Sequence, residues 1–242
     1  MLKELARTNA LARRFKYYFS LIRNLDRNPF KSICMRSRSI QYPVLIDVGA
    51  NVGQFAIDIQ NFGFSGKIYS YEPVAKTFNR LSKNAGRSKS WFAIHCALGS
   101  ASGLSKINVS ANSGLSSSFL GMGALHSESF PSSKYMAQEM VEVRTLDSEI
   151  SRLQLNPKEI ILKIDVQGFE SKVLDGGSES IPEIPFCFIE ISLVTLYEEE
   201  KIFLSLLQQL ETLGHQVIDV FPGTRDSNGR LLQVDVLTSN FV

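Results

Sequence analysis

The chain has 242 residues, 44% of them hydrophobic and 21% charged, with 16 glycines and 8 prolines. This is enough apolar side chain for one sizeable core, and it excludes a collagen-like, low-complexity or wholly disordered chain. The formal net charge of +2 is unevenly spread: residues 1–40 hold ten Lys or Arg against Glu4 and Asp26, so the remainder is acidic.

In this basic head the apolar residues Leu2, Leu5, Ala12, Phe15, Tyr18, Phe19, Ile22 and Leu25 recur mostly at three- and four-residue steps. The spacing predicts one or two helices with an apolar stripe beside a basic face. Two readings stand for residues 1–40: an interfacial helix on an anionic membrane or a partner, and a surface helix packed on its own domain. No nucleic-acid partner is expected, because the acidic remainder offers no second basic stripe and no RNP-like or zinc-finger spacing occurs. The start, MLKELARTNALARR, lacks the apolar core of a secretory signal, and Cys34, Cys96 and Cys187 form no CxxC pair. A cytoplasmic protein is therefore expected, with the inner membrane face as the place where the head would meet a bilayer. The best apolar stretch, residues 181–196, is broken by Pro182, Glu183, Pro185, Glu190 and Ser192 and falls short of a membrane span.

After Pro43 short apolar runs alternate with helical patterns, as in a parallel sheet. Strands are predicted at residues 44–48, 67–71 and 91–96, with helices at 53–62 and 73–85 between them. Residues 100–133 contain twelve Ser and four Gly with little periodicity. A segment this long is either a cover over a site or Ser-rich filler, and alternating runs at 105–109 and 140–144 could pair beneath it. Buried strands are predicted at 160–165, 186–191 and 216–220. A helix over 198–213 carries Ile202, Leu206, Leu210 and Leu213 on one side and stops at Gly214. A last strand at 231–237 follows turn chemistry at 221–230, which predicts an antiparallel hairpin.

The first strand ends in Asp47 and leads through Gly49, Ala50, Asn51 and Gly53 into a helix. The glycines permit a tight turn and close backbone approach to a ligand. An acid with exposed amides at a helix start suits an ammonium group with hydrogen-bonding edges, although such amides equally suit phosphate. Nineteen positions after Gly53, Glu72 ends the second strand, where a carboxylate can accept from both hydroxyls of a ribose. A nicotinamide site would want G-x-G-x-x-G, which this turn does not match.

Four stretches, IDVGANVGQF (46–55), YSYEP (69–73) with Phe78, Leu81 and Asn84 behind it, RTLDS (144–148) and LKIDVQGFESKVLDGG (162–177), resemble the FkbM-type S-adenosylmethionine-dependent methyltransferases in order and spacing. The likeness runs from about residue 43 to 193, with Gln167 where many members have Glu. It implies an α/β, Rossmann-like class I methyltransferase fold: a mostly parallel seven-stranded sheet with an antiparallel last strand, here preceded by N-terminal helices. Residues 41–242 would form this domain, with 100–140 as its cover or insertion. By likeness, Asp47 and the turn Gly49, Ala50, Asn51 and Gly53 hold the methionine part of S-adenosyl-L-methionine, Glu72 the ribose, and Ala97 and Leu98 the adenine edge.

Methyl transfer to a hydroxyl needs in-line positioning and a base for the proton. Asp165, at the end of the fourth main-sheet strand, is expected to orient the acceptor or act as base. Lys163, two residues earlier on the same face, would hold that carboxylate ionised. Glu170 completes the catalytic set, and Glu190, His126 and Ser116 are candidates for binding the acceptor. Plainer readings exist for each: Glu170 as a helix-start charge, Lys163 and Asp165 as a structural ion pair, His126 and Ser116 as loop residues. No ligand spacing demands a metal. The expected function is O-methylation of a sugar, glycan or small-molecule hydroxyl, the alternatives being a non-catalytic scaffold on this fold or a nicotinamide-dependent oxidoreductase.

Overall fold

The computed structural model describes residues 28–240. The head's apolar stripe at residues 2–25 therefore lies outside the described residues. Its remaining part forms a helix, Pro29–Ser37, capped by the Asn28 side chain, which accepts from the Lys31 N–H at 3.1 Å. This helix buries Ile33 and Cys34, and Phe30 packs on Phe55 and Phe62 with ring centroids 5.3 and 5.7 Å apart, so it is built onto the domain. Among the described residues no helix is long and apolar enough to cross a membrane.

Ten strands follow: β1 (Val44–Val48), β2 (Lys67–Tyr71), β3 (Trp91–Ile94), β4 (Ala97–Leu98), β5 (Gly103–Ser110), β6 (Tyr135–Arg144), β7 (Ile160–Ile164), β8 (Phe186–Ser192), β9 (Gln216–Pro222) and β10 (Gln233–Ser239). Seven of them form one sheet in the order β3-β2-β1-β7-β8-β10-β9, in which β10 is antiparallel to both neighbours and the pairs from β3 to β8 are parallel. β1 and β7 are buried at every position, the signature of strands covered on both faces. Alternation splits their side chains between two layers. Val44, Ile46, Val48, Ile160, Leu162 and Ile164 face the helices Leu146–Arg152, Glu170–Asp175 and Phe203–Thr212, while Leu45 and Ile161 face Pro29–Ser37, Gln54–Asn61 and Ala75–Ala85.

The strands expected at 105–109 and 140–144 are the inner parts of longer ones, β5 and β6, paired antiparallel with Ser105 opposite Val141. β4 joins them in a second sheet, ordered β4-β6-β5. Between β5 and β6 the Ser-rich stretch contains a helix, Ala124–Ser129. The helix expected from residue 198 begins at Phe203. The turn before it puts Glu199 at φ 59°, and the Glu200 carboxylate accepts from the backbone N–H groups of Leu196 and Tyr197.

The RTLDS stretch has a scaffolding place. Arg144 reaches Glu149, Thr145 caps the helix Leu146–Arg152, and Asp147 accepts from the N–H groups of Glu179 and Ser180. The Asp147 N–H donates in turn to the Gly176 carbonyl at 3.0 Å, binding this helix to the end of the next.

Candidate active site

A cavity opens at the C-terminal ends of β1, β2 and β7, where the chain leaves β1 in both directions across the sheet. Open parallel sheets hold ligands at such a switch point. Its walls include Gly49, Asn51, Glu72, Ala97, Leu98, Ile107, Asp165, Val166, Gln167 and Phe169, and among the described residues no Lys, Arg or His lines it. Glu72 receives the N–H of Asn51 on one oxygen and of Val74 on the other, each at 2.9 Å, so the carboxylate is fixed at the strand end with a lone pair left on each oxygen. Burial pushes its carboxyl up to about 7 against these hydrogen bonds.

Asp47 takes a different place from the one expected. It is fully buried and lies off the cavity wall. Lys163 Nζ stands 3.0 Å from its Oδ1, and Ser70 Oγ donates to its Oδ2 at 3.0 Å while itself receiving the Trp91 indole N–H at 2.9 Å. Burial alone would lower the Lys163 ammonium, but Asp47 and then Asp165 outweigh it and hold it above its ordinary value. Lys163 also donates to the carbonyl of Gly49 at 2.9 Å, fastening the turn from below. It is likewise absent from the cavity wall, and it sits nearer to Asp47 than to Asp165, which is 3.8 Å away.

The glycines of the turn serve packing. At Gly49, φ is 76° and an added Cβ would lie 1.9 Å from the Asp165 carbonyl oxygen; at Gly53, φ is 93° and the Cβ would meet the Trp91 ring at 2.5 Å. Gly49 and Asn51 border the cavity, whereas Ala50 and Gly53 do not.

Asp165 lines the cavity with a side chain 36% exposed, and Ala97 and Leu98 stand on its wall. Glu170 is turned away: its Oε1 accepts from the N–H groups of Val166 and Gly168 at 3.1 and 3.2 Å, bracing the turn that enters its own helix. Burial raises its carboxyl to about 7. Glu190 Oε2 accepts from Gln167 at 3.1 Å and Gln233 at 2.6 Å, behind the cavity wall rather than on it. Burial, then Asp165 and Asp235, raise it well above the ordinary carboxylate range.

Part of the Ser-rich stretch does stand over the cavity, through Gly114, Leu115, Ser117, Ser118 and Phe119. Ser116 does not face it; its hydroxyl receives Asn112 Nδ2 at 2.9 Å. His126 is buried instead of solvated, its ring 4.9 Å from that of Tyr197 and 5.2 Å from that of Phe130, and neither ring nitrogen has a hydrogen-bond partner among the described residues. Two residues emerge that sequence reasoning passed over as functional: Gln167, on the cavity wall, and Tyr197, whose hydroxyl donates to it at 2.7 Å. The Gln-Gly step at 167–168 was a signal for a left-handed turn, whereas Tyr197 carried none.

Among the described residues no group of three His, Cys, Asp or Glu is placed to hold a metal ion. The methyltransferase FkbM domain profile matches residues 47–217. The chain is 25% identical over 203 residues to the 2-O-methyltransferase NoeI of Sinorhizobium fredii, covering 82% of this chain and 79% of that protein. It is 26% identical over 150 residues to the hexuronic acid methyltransferase AglP of Haloferax volcanii, covering 61% of this chain and 55% of that one. Among solved structures it is similar to magnesium protoporphyrin IX methyltransferase from Synechocystis PCC 6803, with a TM-score of 0.46 at 11% identity, covering 91% of this chain and 82% of that one.

Proposed function

The chain belongs to the FkbM methyltransferase family and uses S-adenosylmethionine as methyl donor; from that premise we propose that it methylates a hydroxyl of a sugar or glycan, with Asp165 serving the acceptor. The observation that carries this reading is the cavity at the switch point, which has Glu72 on one side, Asp165 on the other and, among the described residues, no basic side chain in its lining. A cationic donor with a ribose fits that charge, because Glu72 has a lone pair free on each oxygen for the two hydroxyls. Leu98, Ile107 and Phe169 supply apolar wall for a purine. Asp47 acts from behind, through Lys163 and the Gly49 carbonyl, rather than by touching the donor.

Bound there, S-adenosylmethionine supplies a methyl group whose bond to sulfur breaks as a bond to the acceptor oxygen forms. Asp165 orients the hydroxyl and takes its proton, the role its place at the end of β7 allows. Residues 113–119 stand where they would cover donor and acceptor together, and positioning supplies much of the acceleration in such a displacement. The two curated relatives are named for methylation at a 2-O position and on a hexuronic acid, which supports a sugar acceptor. Within residues 1–40, for the part ahead of the helix Pro29–Ser37, we propose peripheral contact with an anionic membrane or a partner through its basic face, the membrane tested by sedimentation with anionic and neutral vesicles.

The decisive test is transfer of labelled methyl to free sugars and oligosaccharides. With any acceptor found, Asp165→Asn is expected to lower kcat by about a hundredfold or more while donor affinity is kept. Unchanged turnover would remove Asp165 from the mechanism.

A further inference from the structure

We propose that Gln167 is a positioning residue that sets the Asp165 carboxylate for the acceptor, and that Tyr197 is the clamp fixing its amide; this rests on the role of Asp165 given above.

The Tyr197 hydroxyl donates to Gln167 Oε1 at 2.7 Å, while Gln167 Nε2 donates to Asp165 Oδ1 at 2.8 Å and Glu190 Oε2 at 3.1 Å. The amide has one acceptor end and one donor end. Turned over, it would present its oxygen to two carboxylates, so Tyr197 and the two acids select one orientation. Asp165 Oδ1 is thereby tied to Nε2, and Oδ2, 3.8 Å from Lys163 Nζ, is the oxygen left for a hydroxyl.

The backbone is shaped to hold this amide. Gln167 has φ 57°, a left-handed conformation that is unfavourable for a non-glycine residue. Glu170 Oε1 holds the N–H groups on either side of it, and Ser118 Oγ donates to its carbonyl at 2.7 Å. Gly168 lacks the Cβ that would lie 3.0 Å from the Tyr197 ring, so the ring lies close against this turn and its hydroxyl reaches the amide. Contacts from Glu170, Ser118 and Tyr197 thus converge on this turn and on the residue whose side chain ends on Asp165. They include one from Ser118, in the stretch that stands over the cavity, so covering the site and aiming the carboxylate are joined in one residue.

The test uses the full chain and the variants Gln167→Ala, Tyr197→Phe and Asp165→Asn, singly and with each of the first two combined with the third. Tyr197→Phe keeps the ring on Gly168, which guards against simple loss of fold. In the native background each is expected to lower kcat by roughly tenfold or more, since a misplaced group costs rate without costing donor binding. Affinity for S-adenosylhomocysteine, measured by calorimetry, should stay within about twofold. In the Asp165→Asn background neither should lower kcat further; an equal loss there would overturn the proposal, because the residue would then act otherwise than through Asp165. A second arm needs no turnover: crystals of Tyr197→Phe and Gln167→Ala with S-adenosylhomocysteine should show the Asp165 carboxylate rotated from its place, and an unmoved Asp165 in both would also overturn the proposal. If the native enzyme methylates no sugar, the acceptor assignment fails by itself and the crystals still decide the role of Gln167.

Discussion

Asp47 and Lys163 stand opposite each other in the register of adjacent parallel strands, and their side chains meet at 3.0 Å with none of the aspartate left to solvent. The pair lies beneath the turn that borders the cavity, and the ammonium also holds the carbonyl of Gly49. It forms part of a buried row that continues from Asp47 through Ser70 to the Trp91 indole.

Breaking this pair leaves a buried charge without its partner. Lys163→Met is expected to destabilise the fold by about 3 kcal/mol or more, and adding Asp47→Asn should recover part of that loss by removing the stranded charge. Urea denaturation of the two single variants and the double variant measures it. Strict additivity would show that the side chains do not interact. Donor affinity should fall in Lys163→Met although the lysine is not among the residues lining the cavity, because the Gly49 carbonyl loses its anchor.

Glu72 should make donor binding depend on pH. Burial raises its carboxyl to about 7, and ribose hydroxyls donate best to the ionised form. Affinity for S-adenosylhomocysteine is therefore expected to rise from pH 6 to pH 8, and at pH 6 to be about tenfold below its plateau. Glu72→Gln should bind more weakly and show a flat profile, which calorimetry across this range reads directly. A slope retained in Glu72→Gln would assign the titration to another group.

His126 makes stability, too, fall as the pH falls. Burial lowers its imidazole below the ordinary value, so as pH falls through about 6.5 the unfolded chain takes up the proton first and stability is lost. Replacing it with Leu also removes two buried nitrogens that lack partners. Relative to the native protein, His126→Leu should gain more stability at pH 5.5 than at pH 7.5. The acids that titrate in the same range are common to both proteins and cancel in the difference.

Glu149 is the keystone of the scaffold around RTLDS. It is 1% exposed and accepts from Tyr71, Arg144 and Arg152 at 2.7 to 3.1 Å. Burial pushes its carboxyl up, but the hydrogen bonds from Arg152, Arg144 and Tyr71 outweigh this and leave it below its ordinary value. Both arginines are partly exposed and can turn to water, whereas the Tyr71 hydroxyl is buried and would be orphaned. The second effect decides the size: Glu149→Ala should cost about 2 kcal/mol in urea denaturation. Donor affinity should change far less than stability.

Much of this molecule was legible in its sequence because the relevant signals are local. Strand and helix alternate in hydrophobic period, and a strand buried on both faces reads as a continuous apolar run, so β1, β2 and β7 were found close to their ends. The hairpin of β9 and β10 announced itself through its turn residues. Glu72 and Asp165 follow directly on β2 and β7, and Ala97 and Leu98 come soon after β3; in a parallel sheet those strand ends share one edge, so their meeting at the cavity follows from order along the chain.

What only the tertiary structure decided is which side chain meets which. Asp47 reads as a ligand contact until the register places Lys163 and Ser70 on either side of it, and burial makes that ion pair its obligatory partner. Gly49 and Gly53 look like room for a ligand, yet the space they leave is filled by the Asp165 carbonyl and the Trp91 ring. Tyr197 is 30 positions from Gln167 and 71 from His126, and it touches both. Periodicity and turn chemistry act over a few residues and survive in the sequence; desolvation and hydrogen-bond pairing act through space, and they exist once the strands have been set side by side.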